Sequence, residues 1–431
     1  MTERGAVTCV LLLFAGGLVL PRARAQEVSA DTLHVKQIAG EDVRELIGHV
    51  LLTQERTRVT CDRALQYIGR GKFFLDGNVV VTDDSLTLRA PRGTYDRPAR
   101  RAEGLDRVEL TDGTTRLSAA YGEYFAEERK AFFHTHVVVV DSSSVVTSDT
   151  LLYWRTGRRS VALGRVIVRS PADRLTIYGG RLDNDGETRR SRMTIAPLMV
   201  QIDSAGEGRF DTLQVRAVAM ESYRDSTRRL IARDSVELLR TDIAATSRYA
   251  CFYTLGDSIL LRFSPVIWYR DTQVTGDSVN VYLKKRKLDR LHVMGSALAV
   301  SRSDSLHPER YDQIAGDRLS MRFGSRGLDR TDVEGRAVSL YHLYDDTLAN
   351  GANRTSGDRI VILFAGGKAE TITVYGGVEG QYFPENMVRG KETDLALPGF
   401  TWRPHPPRRA SVPAGRRSVR GTTGTGTHAE P

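Results

Sequence analysis

Gly77-Asn78-Val79-Val80-Val81-Thr82-Asp83-Asp84-Ser85-Leu86-Thr87-Leu88-Arg89-Ala90 decides the fold. Val79 and Val81 alternate with their neighbours before a cluster of turn-forming residues, and Leu88 and Ala90 alternate after it. Successive side chains of a strand point to opposite faces, so each arm is a strand with one apolar face. Asp83, Asp84 and Ser85 supply a tight reversal, which makes the whole a hairpin. The hairpin recurs: Val50, Val79, Val108, Val137 and Val166 follow one another at steps of 29 residues. The residues two beyond them, Leu52, Val81, Leu110, Val139 and Val168, are apolar as well. A second column with the same step is Val59, Leu88, Leu117, Val146 and Leu175. A third is small at Cys61, Ala90, Ala119 and Ser148 and departs from that at Ile177, and Tyr67, Tyr95, Tyr124 and Tyr153 close the units. Val, Ile, Thr and Tyr in these stretches, broken every few residues by Gly, Asp or Pro, argue against helix.

The period lengthens further along the chain. Val293-Met294-Gly295, Val333-Glu334-Gly335 and Val374-Tyr375-Gly376 recur at steps of 40 and 41, and Gly276-Asp277, Gly316-Asp317 and Gly357-Asp358 recur with them. Residues 190 to 260 are the least regular, which suggests a soft boundary near residue 190. Stacked units bury a continuous apolar column that no single unit could bury alone. The expected fold class is therefore all-β: an elongated, open, solenoid-like stack of antiparallel hairpins, with repeat regions at 26–190 and 191–402.

The ends read differently. Arg4, the apolar run from Ala6 to Leu20 and Ala23-Arg24-Ala25 form a signal-peptide pattern, so residues 1–25 are expected to be removed on export. Of the net charge of +9, residues 1–25 hold +2 and residues 403–431 hold +5, leaving +2 for the body. A near-neutral body with mixed signs is not the footprint of a nucleic-acid binder. Residues 403–431, rich in Arg, Pro, Gly and Thr, read as a disordered basic tail. Cys61 and Cys251 remain after signal removal; a bridge between them and two small buried side chains are both open readings.

The G-x-V strand followed by an Ala-Asp-like pair and a tyrosine resembles the OstA-like repeat of lipopolysaccharide-transport proteins of the LptA type. Gly77-Asn78-Val79 with Ala90 and Tyr95, and Leu105-Asp106-Arg107-Val108 with Ala119-Ala120 and Tyr124, carry the resemblance. It extends over most of residues 40 to 382. Pro91 and Ala120 replace the aspartate of the pair in two copies, and the body is longer than the usual bridge protein. The resemblance implies an open β-jelly roll: two facing antiparallel sheets with an apolar, taco-like groove between them, linked edge to edge with other copies or other transport proteins.

Sequence motifs for catalysis are lacking: there is no H-E-x-x-H, no G-x-S-x-G and no phosphate-cradling glycine loop. His134 and His136, two apart, form a metal pair without a third ligand nearby, so neither metal nor cofactor is expected. The apolar columns admit a dry core or an open groove, and the resemblance favours the groove. The expected function is a non-enzymatic, periplasmic lipopolysaccharide-binding transport protein, acting towards the outer membrane. Its groove residues would be Val50, Leu52, Val59, Val79, Val81, Leu88, Val108, Leu110, Leu117, Val137, Val139, Val146, Val166, Val168 and Leu175. Its partners would be the lipid, related transport proteins joined by edge-strand pairing, and further copies of itself end to end; a β-solenoid glycan binder or scaffold is the competing expectation.

Overall fold

The computed structural model describes residues 27–413 without 55, 84, 207–208, 225–227, 254–255, 285–286, 304–306, 346–347 and 367. The expected signal peptide lies outside these residues. The described chain is strand almost throughout, and its sheet pairing is antiparallel. A 3-10 turn at Thr156–Arg158 and an α-helix at Glu385–Val388 are the helical segments among the described residues. Contacts divide the chain into two compact units, Met1–Gly113 and Thr114–Pro431. Near residue 190, where the repeat weakens, the strands pair without a break: Leu175–Asp185 joins Arg190–Thr194, which joins Ala219–Tyr223.

In the first unit Glu41–Gln54, Thr57–Tyr67, Lys72–Asp83 and Leu86–Asp96 form a meander in which each strand pairs with the next. Two of these strands, Glu41–Gln54 and Lys72–Asp83, are bulged in the middle. The register jumps from Ile47 to Val50 and from Asp76 to Val79, and the residues passed over, Gly48-His49 and Gly77-Asn78, have positive φ. Extra residues of this kind bend a strand and raise its local twist. The bend sends the two ends of one strand into two different layers. Accordingly, Leu86–Asp96 pairs with Arg101–Leu105 through one half and with Val108–Thr111 through the other. Leu46 before a corner and Val50 after it are both buried, as are Leu75 and Val79, so the layers face each other across one apolar interior. The G-x pair is thus a corner inside a strand, where sequence pattern alone places it at a strand's start.

A second strand helps to shape these corners. At Gly77 an added Cβ would overlap the Asp62 carboxylate, and Asn78 Nδ2 donates to Asp62 Oδ2 at 2.8 Å. Glycine is needed twice over there, for the left-handed φ of 77° and for room. Asp31 faces Gly48 in the same way, and Asp149, Asp277, Asp317 and Asp358 face Gly164, Gly295, Gly335 and Gly376. Where the corner lacks glycine the aspartate is lacking too. The backbone N–H of Ala120, Gly180, Val218 and Arg248 donates to the carbonyl of Thr135, Ile195, Asp234 and Phe263, residues that take the positive φ without glycine. At Asp106 the partner strand offers Pro91, which has no N–H, and Arg92 Nε bonds Asp106 Oδ2 at 2.9 Å instead.

The second unit is likewise a meander and ends in a strap. After the helix the chain crosses the outer face of one layer, held by three buried glutamines. Leu397 N donates to Gln313 Oε1 at 2.9 Å, Arg403 N to Gln273 Oε1 at 3.2 Å and Ala410 N to Gln214 Oε1 at 2.9 Å. Gln273 Nε2 and Trp268 Nε1 return bonds to Arg403 O, each at 3.0 Å. Residues 403–413 are therefore laid on the sheet, which differs from the disordered tail expected from 403; residues 414–431 lie outside the described residues. The anchors are side-chain amides binding backbone groups, and a polar composition gives no sign of them.

Candidate functional site

The inner face is the largest apolar feature of the fold, and it is built from cross-strand rows. In the first unit Leu52, Val59, Val81, Leu88 and Leu110 stand opposite one another strand by strand. Val50 pairs with Cys61 and Val79 with Ala90 on the same face. All of these, and Val108, are buried by the chain itself. Here the candidate groove residues pack together as a core.

In the second unit the row runs Leu117, Val139, Val146, Val168 and Ile177. Leu117, Val137 and Val166 are buried, but Val139, Val146, Val168 and Leu175 are only half-buried. Further on the row closes again. Met199, Val215, Leu238, Ala245, Ile267 and Val274 extend it strand by strand, none of them more than 2% exposed. One aliphatic stretch on the inner face is thus accessible between buried ends. Such a stretch suits an apolar guest, because each Å² it removes from water contributes about 25 cal/mol. The residues beyond 190 were missed in the sequence because the 29-residue step fails there. Their alternation within each strand is the signal that remains.

A buried ion pair, Arg240 Nε to Asp211 Oδ2 at 2.7 Å, lies beside the inner row, and other charged clusters lie on the outer faces. Glu45 receives Lys36 Nζ at 2.7 Å and Arg63 Nε at 2.8 Å; the bonds from Lys36 and then Arg63 hold its carboxyl down at about 2. Burial pushes the Glu221 carboxyl up, but Arg190 at 2.6 Å and the Tyr223 hydroxyl at 3.0 Å bring it below the usual range. Cys61 and Cys251 are free and buried. Burial lifts the Cys61 thiol to about 11, which leaves little reactive thiolate at neutral pH. His136 and Thr135 occupy a corner with positive φ, so simple alternation does not place His134 and His136 on one strand face. His134 Nδ1 lies 3.0 Å from Thr135 Oγ1. Among the described residues no group of three His, Cys, Asp or Glu side chains could hold a metal ion.

The corners and inner rows can be compared with known proteins. Residues 72–149 match the family model of the OstA-like protein. This OstA-like segment opens with the Gly77-Asn78 corner and includes those at Asp106-Arg107 and Thr135-His136. It takes in the closed row at Val81 and Leu88 and the first part of the open one, Val139 and Val146. Corners like that at Gly77 recur outside it at Gly48, Gly164, Gly295, Gly335 and Gly376. No curated protein matches the chain.

Proposed function

We propose that the protein is a periplasmic carrier of lipopolysaccharide or a related lipid, shielding acyl chains on its inner face and passing them towards the outer membrane. The observation that carries this reading is the half-buried stretch Val139, Val146, Val168 and Leu175, set on a continuous apolar row whose first part lies in an OstA-like segment. An acyl chain of a dozen carbons free in water is disfavoured by nearly 10 kcal/mol, at about 0.8 kcal/mol per methylene. An accessible aliphatic strip lowers that barrier without chemistry.

Handover requires contact with a neighbour. Thr32–Ile38 pairs on one side with Glu41–Gln54, is exposed along nearly its whole length and carries Leu33 and Val35 outward. A partner strand can add to such an edge. The test of the reading is mass spectrometry of lipid retained by protein purified from its native periplasm. Retained lipopolysaccharide or a kindred acylated lipid supports it. Protein that is folded, free of lipid and bound to glycan would establish the scaffold alternative in its place.

A further inference from the structure

The outer face of the other layer of the second unit, the one the strap does not cross, carries a pattern that acyl-chain carriage does not use. Strand by strand, Arg190, Tyr223, Arg229 and Tyr253 stand opposite one another. Beside that row run Arg233, Tyr249 and Arg262, and further strands add Tyr282, Arg290 and Arg322. Guanidinium groups lie over the neighbouring rings: Arg229 at 5.0 Å from Tyr223, Arg233 at 5.4 Å from Tyr249 and Arg290 at 5.7 Å from Tyr282. These contacts keep long side chains extended along the sheet while their charge stays accessible.

Three carboxylates on this face have arginine partners, Asp183 at Arg181 among them, and Asp185 accepts from the N–H of Glu187 and Thr188. Glu221 is nearly buried among Arg190, Arg192 and Arg233, and Asp332 lies between Arg330 and Arg359. Arg262 and Arg322, both exposed, reach no carboxylate among the described residues. The surplus is positive charge spread across successive strands about 4.8 Å apart.

The geometry points to this arginine–tyrosine face as a docking surface for an anionic lipid-bilayer surface. Guanidinium pairs readily with phosphate oxygens. Tyrosine, with an apolar body and a polar tip, is enriched at the membrane–water interface, which favours a bilayer over a soluble polyanion. The dispersed charge suits a plane of headgroups, whereas a single small anion would need a converging site.

Flotation of the full chain with vesicles tests it. Wild type should bind phosphatidylcholine vesicles containing a quarter phosphatidylglycerol, bind pure phosphatidylcholine weakly, and be released between 50 and 500 mM salt, roughly as screening predicts. The R262E/R322E double variant, checked for an unchanged melting temperature, should lose binding roughly tenfold for each arginine reversed. R58E, an exposed reversal in the first unit, should bind as wild type does. Equal binding to both vesicle types, salt-insensitive binding, or full binding by R262E/R322E would overturn the proposal, the last by assigning the affinity to another basic segment. Binding of inorganic polyphosphate without binding of vesicles would overturn it in favour of a soluble polyanion.

Discussion

Two stretches of the inner face have the same sequence pattern and different exposure. Val79, Val81 and Leu88 in the first unit are buried, whereas Val139, Val146 and Val168, two or three repeats on, are half-buried. Both stretches alternate, both follow a left-handed corner, and both keep valine or leucine at the facing positions. The difference teaches that apolar alternation specifies a face, while packing of the opposite layer decides whether that face is a core or a surface. A column of valines is thus no evidence of a groove until its accessibility is known.

The largest contrast should come from a buried charge. V79D places an unpaired carboxylate in a closed core and should lower unfolding stability by roughly 4 kcal/mol or more. V146D, where water already reaches the side chain, should cost about 1–2 kcal/mol by the same reasoning, yet remove retained lipid. Denaturant titration with lipid analysis measures both. Similar destabilisation at the two positions would erase the distinction between closed and open stretches.

The corners offer a smaller contrast of the same kind. G77A asks an L residue to take a left-handed φ and to displace Asp62, at a cost of roughly 2–3 kcal/mol. The D62A change should recover part of that loss in G77A, because the clash is shared between them. Thr135, β-branched at φ 64°, has no facing aspartate, so T135G should stabilise by up to about 1 kcal/mol. Thermal melts decide; a destabilised T135G would show that the corners without aspartate are not relaxed by glycine.

These corners also show how far the sequence could be read. The strands, their inward faces and the hairpin turns were legible because alternation and turn chemistry are local. Val50, Val79, Val108, Val137 and Val166 lie just past their corners as the 29-residue step implies. The bend itself was not legible, since a glycine before a strand reads as punctuation and the aspartate that fits over it is 15 to 18 residues away in sequence. Met199, Val215 and Leu238 escaped because the period breaks, and the strap escaped because its anchors Gln214, Gln273 and Gln313 bind backbone rather than packing side chains. The half-exposure of Val139 and Val146 depends on the facing layer, about which a one-dimensional pattern is silent.

A milder contrast separates the outer face from the inner. Glu45, held at about 2 by Lys36 and Arg63, has a folded value below the ordinary carboxylate value. Its contribution to stability is complete above that ordinary value, near 4.5, and is lost as pH falls towards 2. E45Q should flatten this part of the acid-unfolding profile and leave the neutral-pH profile's shape unchanged. An acid profile identical in E45Q and wild type would show that the cluster does not contribute to the pH dependence.

The most direct test of the account is photocrosslinking in living cells, with one photoreactive residue at Val146, Val168, Val79 or His136. Lipid adducts are expected at Val146 and Val168, few at the closed Val79 and none at the outward corner residue His136. Equal labelling at His136 and Val146, or no lipid adduct at Val146 and Val168 in folded protein, would contradict it and leave the inner face as an ordinary core.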